Sequence, residues 1–235
     1  MKFLPENVST YGGAIDSLGL LITVTVGACL LIAEVVLIAA AIVYRQREGK
    51  PASYIQGECW KQLKWIMIPV IIVVLLDCFI DAKTHTTWVL IKGGTPKADQ
   101  TVRIVAQQYY YSFTLAGADG ELDTADDITT INELHVPVDA NVIFELEAKD
   151  MLHSLWVPAL RLKQDALPGR TITGWFNATT PGEYEIACAE LCGVGHSAMR
   201  ATLLVHTTDS FDRWQAEELA PVTSAIEQNA TGATP

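Results

Sequence analysis

The run CAELCGVGHSAM, residues 188–199, lies between two β-type runs at 183–188 and 201–205. Pro181 and Gly182 turn the chain into the first of them. Gly193 and Gly195 allow tight turns inside the loop. The pattern reads as strand, ligand loop, strand. Within twelve residues it gathers Cys188, Cys192, His196 and Met199. Thiolate and thioether are soft ligands, and imidazole also suits copper. Two thiolates can bridge two copper ions, and each ion then needs its own imidazole. His153, in KDMLHSLWVP at 149–158, lies upstream and can supply the second. A disulfide between Cys188 and Cys192 is the competing use of the pair in an oxidising compartment. Zinc would take the cysteines and histidines, but it has no use for Met199.

C-x-E-x-C-x-x-x-H-x-x-M with an upstream H-S-x-W-x-P resembles subunit II of the haem-copper cytochrome c oxidases. DALPGR at 165–170 and a two-span anchor ahead of the ligands also look like that family. The resemblance covers roughly residues 15–210. It implies a cupredoxin-like barrel carrying a dinuclear copper centre, CuA. Cys188 and Cys192 would bridge both coppers. His153 and Met199 would complete one ion; His196 and the backbone carbonyl of Glu190 would complete the other. The Glu190 side chain would reach a magnesium ion at the boundary with subunit I. Asp150, three residues before His153, is a candidate to orient that imidazole.

The pattern around this loop agrees. Runs at 101–106, 109–115, 133–136, 142–147, 171–177, 183–188 and 201–205 are rich in β-branched and aromatic residues, with Pro and Gly turns between them. They predict a Greek-key sandwich or barrel. Ahead of it, a mean hydropathy of +0.24 is too high for an ordinary soluble chain of this size. The excess sits in two apolar runs, 18–44 and 63–80. Each is long enough to cross a hydrocarbon core of about 30 Å as a helix. The first lacks a small-residue cleavage site and reads as a retained span. The predicted organisation is a periplasmic arm at 1–16, a transmembrane hairpin at 17–82 with connector 45–62, a copper-binding β domain at 83–216, and a disordered tail at 217–235.

The connector carries Arg45, Arg47, Lys50, Lys61 and Lys64 against Glu48 and Glu58, which places it on the cytoplasmic side. Both termini and the β domain then face the periplasm or its equivalent, outside an inner (plasma) membrane. The net charge of −11 belongs wholly to residues from 81 onward, where 21 acids face 10 bases. That balance argues against nucleic acid and for a basic protein partner. Cys29, Cys59 and Cys78 lie in the spans or the connector and read as small buried or reduced residues.

Two departures from the family pattern stand out. QQYYYSF at 107–113 lies where relatives have H-Q-W-Y-W-S-Y, so Tyr109 stands where the first tryptophan receives the electron and Tyr111 where the second lies. Both are electron-entry candidates, with a different entry route or donor as the alternative. The carboxylate that guards a proton-channel mouth in relatives falls at Gln62. Glu58, one turn earlier, is the candidate to replace it. Glu34 and Asp77 are costly inside a membrane and are expected to face subunit I. The turn at 117–127 crowds five carboxylates; its spacing is not an EF-hand, and a solvated hairpin tip is the reading preferred over calcium. His85, His135 and His206 have no ligand-type neighbours in sequence.

The reading is an electron-accepting subunit of a terminal oxidase. It would pass electrons from cytochrome c, or a similar donor, through CuA to the haem-copper subunit that reduces oxygen. It would have no acid, base or nucleophile of its own. The alternatives are the copper subunit of a CuA-type nitric oxide reductase and a membrane-tethered copper carrier or assembly protein.

Overall fold

A computed structural model describes residues 5–51, 54–117 and 119–231, with side chains described as far as residue 220. The chain divides into two units. Residues 14–90 form one; residues 1–13 and 91–235 form the other.

The first unit consists of two long helices, α1 (Gly12–Val43) and α2 (Trp60–Lys92), both apolar enough to cross a membrane. At 1.5 Å per residue each is close to 50 Å long, more than a bilayer core needs. The predicted spans therefore mark the apolar centres of longer helices. The second continues twelve residues past Ile80, through Asp81, Lys83 and His85, to Lys92. Leucine, valine and isoleucine are exposed along both helices. Two hydroxyls inside the first apolar run are satisfied locally: Thr23 and Thr25 donate to the Gly19 and Leu21 carbonyls, both at 2.7 Å.

The second unit is all-β with one terminal helix. Its strands are β1 (Gln100–Gln107), β2 (Tyr110–Leu115), β3 (Ile128–Ile131), β4 (Glu133–Pro137), β5 (Asn141–Ala148), β6 (His153–Val157), β7 (Leu162–Ala166), β8 (Ile172–Asn177), β9 (Gly182–Cys188) and β10 (Arg200–His206). They form two five-stranded sheets, β3-β2-β1-β5-β8 and β4-β10-β9-β6-β7. β1 runs parallel to β5 and β10 parallel to β4; the other pairs are antiparallel. This is the expected cupredoxin-like barrel. The period-two alternation in β1, β2 and β5 puts one face of each strand inside. Phe113, Ile104, Phe144 and Leu146 of one sheet and Leu134, Leu155 and Ile186 of the other are all buried.

The N-terminal arm is knitted into this unit. Val8 N–H donates to the Ala159 carbonyl, Thr179 N–H to that of Val8, and Ser9 bridges Ala178. Tyr11 is buried edge-on against Trp175, with ring centroids 5.4 Å apart. Trp175 in turn donates its indole N–H to the Ile91 carbonyl at 2.9 Å. Ser9 Oγ accepts from Gly12 N–H at 2.9 Å and so caps α1.

At the C-terminus, α3 (Thr208–Thr231) replaces the tail expected from residue 217. The Ala, Glu and Gln in that stretch are good helix formers, which a reading based on low hydrophobicity misses. Phe211 anchors the helix start in the core.

Candidate metal centre

The loop after β9 folds back on itself, and β10 returns antiparallel beside β9. Cys188 N–H donates to the Met199 carbonyl at 3.1 Å, closing the loop. His153 starts β6, which pairs with β9 so that Leu155 lies opposite Cys188. Upstream histidine and downstream loop thus meet through sheet register.

The sulfurs of Cys188 and Cys192 are 3.8 Å apart, both buried and unbonded. His153 Nδ1 lies 3.9 Å from the first; His196 Nδ1 lies 3.6 Å and Met199 Sδ 3.7 Å from the second. The Glu190 carbonyl is 3.2 Å from Cys188 Sγ. Every ligand named from the sequence is therefore in this pocket. Among the described residues, His153, Cys188 and Cys192 form the sole metal-type cluster. The site fits copper on its chemistry: a buried, unbonded sulfur pair flanked by two imidazoles and a thioether is a soft donor set. Burial and the neighbouring Cys188 push the Cys192 thiol up to about 11, so metal loading has to displace a proton.

Asp150 lies against the His153 imidazole. Its Oδ1 is 2.8 Å from His153 Nε2. An ionised carboxylate only accepts, so Nε2 carries the proton and Nδ1 keeps its lone pair toward the sulfurs. Burial works to raise the Asp150 pKa, but hydrogen bonds from Gln108 N–H, His153 and Met151 N–H hold it below the usual carboxylate range.

The two tyrosines separate. Tyr111 is fully buried, and its hydroxyl donates to the Ser154 carbonyl at 2.9 Å. It is a core residue. Tyr109 is part-exposed and lies on the ligand loop. A Cβ at Gly195 would come within 2.6 Å of its ring, and one at Gly193 within 2.7 Å of its hydroxyl. Gly193 also has φ +118°, so both glycines serve the packing of Tyr109 as well as the turn.

The Glu190 carboxylate is held in an ion pair. Lys163 Nζ lies 3.1 Å from it and 2.6 Å from Asp165, and the three groups form an ion-pair cluster. Gln62 spends its side chain on Gly57 N–H at 2.8 Å, and Glu58 is exposed beside it. In the acidic turn, Arg103 pairs with Asp123, while Asp126 and Asp127 bond Thr124 and the Asp123 amide. Those carboxylates are committed to the hairpin itself.

Two features escaped the sequence reading. Gln108 donates from its side chain to the Cys192 carbonyl at 2.8 Å. His135 and His206 face each other, Nδ1 to Nε2 at 2.9 Å, with Trp214 of α3 stacked on His135 at 4.1 Å. Only strand register joins residues 71 positions apart, and no local spacing signals it.

Fold and site define a membrane-anchored cupredoxin with a soft metal pocket. Residues 100–206 match the family model for the cytochrome c oxidase subunit II periplasmic domain. The chain is 44% identical over 102 residues to cytochrome c oxidase subunit 2 of Synechocystis sp., covering 43% of this chain and 31% of that protein. It is 40% identical over 136 residues to the Thermostichus vulcanus protein of the same name, covering 58% and 38%. Over 176 residues it is 33% identical to the one from Alkalihalophilus pseudofirmus, covering 73% and 48%. The chain thus spans between about a third and a half of these relatives. A solved periplasmic domain of subunit II from Bradyrhizobium japonicum is similar at 26% identity and a TM-score of 0.48, covering 53% of this chain and 96% of that one. The β domain belongs to the cytochrome c oxidase subunit II family.

Proposed function

We propose that this chain accepts electrons for a terminal oxidase. It takes them from cytochrome c or a similar carrier and delivers them to a haem-copper subunit that reduces oxygen to water. The observation that carries this is the convergence of His153, His196, Met199 and the Glu190 carbonyl on two buried, unbonded cysteine sulfurs. Those six groups would hold a copper pair. When bound, the pair supplies a one-electron relay shared between two metals. The protein's part is to keep the ligands still, and a loop closed between β9 and β10 is suited to that. Tyr109, part-exposed over the loop, is the proposed point of electron arrival. The Glu190 carboxylate, now paired with Lys163, would give its oxygens to a magnesium ion at a boundary with subunit I. Glu58 is the proposed proton port.

The arm and the β domain form one unit, which supports placing both on the outer side with the basic connector inside. The test is metal content and spectrum of the full-length chain in detergent. Two coppers per chain with one unpaired electron delocalised over both supports the reading; one copper with a localised signal sinks it.

A further inference from the structure

We infer that Gln108 is a positioning residue of the metal centre, clamping its two halves together from the β1–β2 turn. The inference rests on the copper reading above. The ligands come from two separate segments, His153 on β6 and residues 188–199 around β9 and β10. Gln108 touches both. Its backbone N–H donates to Asp150 Oδ2 at 2.8 Å, and the other oxygen of that carboxylate holds His153 Nε2. Its side-chain amide donates to the Cys192 carbonyl at 2.8 Å and lies 3.1 Å from Met151 Sδ. The next residue, Tyr109, packs on Gly193 and Gly195.

The loop needs such an anchor. Its own hydrogen bonds run from His196 N–H to Gly193, Ala198 N–H to Gly195, and Met199 N–H to His196. These shape the loop, and Ala189 N–H ties its start to the Ser154 carbonyl at 3.2 Å, but none of them holds the Cys192–Gly193 peptide to the histidine segment. The Gln108 amide does, at the peptide where the chain enters the left-handed Gly193. Losing the amide frees the Cys192–Gly193 peptide to rotate, and the Cys192 sulfur moves with it. Asp150 and His153 stay in place, because their link to Gln108 is through its backbone.

The experiment compares the full-length wild-type chain with Gln108→Leu, which keeps the bulk and removes the donors. Three quantities are read: melting temperature of the copper-free protein, visible and paramagnetic spectra after loading, and the rate of copper loss to a chelator. Expected are unchanged melting, a shifted spectrum, and copper loss faster by about tenfold, within the range of outer-shell substitutions. A wild-type spectrum and lifetime in Gln108→Leu overturns the clamp while leaving the copper reading intact. Earlier melting of the copper-free variant also overturns it, since Gln108 would then support the fold. If Gln108→Leu fails to fold, Gln108→Asn, whose amide falls one methylene short of Cys192, is judged by the same criteria. A wild-type chain that binds no copper pair overturns both readings.

Discussion

At the scale of single residues, the site divides into groups that would hold metal and groups that aim them. Cys188 and Cys192 are the shared element, since each is the near neighbour of a different imidazole. Cys188→Ser or Cys192→Ser is expected to abolish the delocalised two-copper signal, because one remaining thiolate cannot bridge the pair; paramagnetic resonance of the loaded chain checks this. Asp150 acts through His153. Asp150→Asn keeps the size but offers one acceptor where two are used, for His153 and for Gln108 N–H. Copper affinity should fall about 10–100-fold without loss of fold, measured by competition with a chelator. Tyr109 lies between solvent and loop, so Tyr109→Ala should slow electron transfer from a reduced cytochrome c more than it weakens donor binding. Stopped-flow rates compared at several donor concentrations separate the two effects.

At the scale of elements, the strands with clear period-two patterning were legible in the sequence, and β3, β6 and β7 were not. β6 is buried at four of five positions, so it carries no alternation to find. β7 reads LKQDA, with polar residues on an edge strand. The copper ligands were legible because soft donors cluster within twelve residues. Gln108 and the His135–His206 pair were not, because register alone brings them to their partners. That pair carries a consequence for α3. Burial holds both imidazoles below their usual range; Glu133 and Glu218 oppose this at His135, while His135 adds to it at His206. A base with a lowered folded pKa binds fewer protons folded than free, so docking is fully stable above about pH 6.5 and weakens as pH falls below it. Trp214 stacks on this pair, so hydrogen exchange in residues 208–214, taken relative to the intrinsic base-catalysed rate at each pH, should rise on acidification from pH 8 to pH 5. His135→Phe, which keeps a flat ring and loses one titrating group, should blunt that rise.

At the scale of the whole molecule, charge is unevenly distributed. The first 80 residues balance at six bases and six acids, so the net −11 lies beyond them. The metal loop itself is different: Val194 is fully exposed, Leu191 is 77% exposed, and Tyr109 is part-exposed beside them. An apolar contact patch on an acidic domain gives short-range fit at the centre and long-range attraction around it. Such attraction acts on the encounter rate and is screened beyond about 8 Å at physiological salt. The expected donor is therefore basic, at least around its exposed redox edge. Its association rate should fall steeply between low and physiological ionic strength, while the electron-transfer step within the complex stays nearly constant. Val194→Asp should have the opposite signature. It adds to the attraction but spoils the apolar fit, so dissociation quickens and the salt slope is kept or steepened. Flash-induced reduction of the loaded chain by a basic cytochrome c, recorded across a salt series, measures both slopes. A rate indifferent to salt in the wild type, with Val194→Asp also silent, would place the donor elsewhere on the surface.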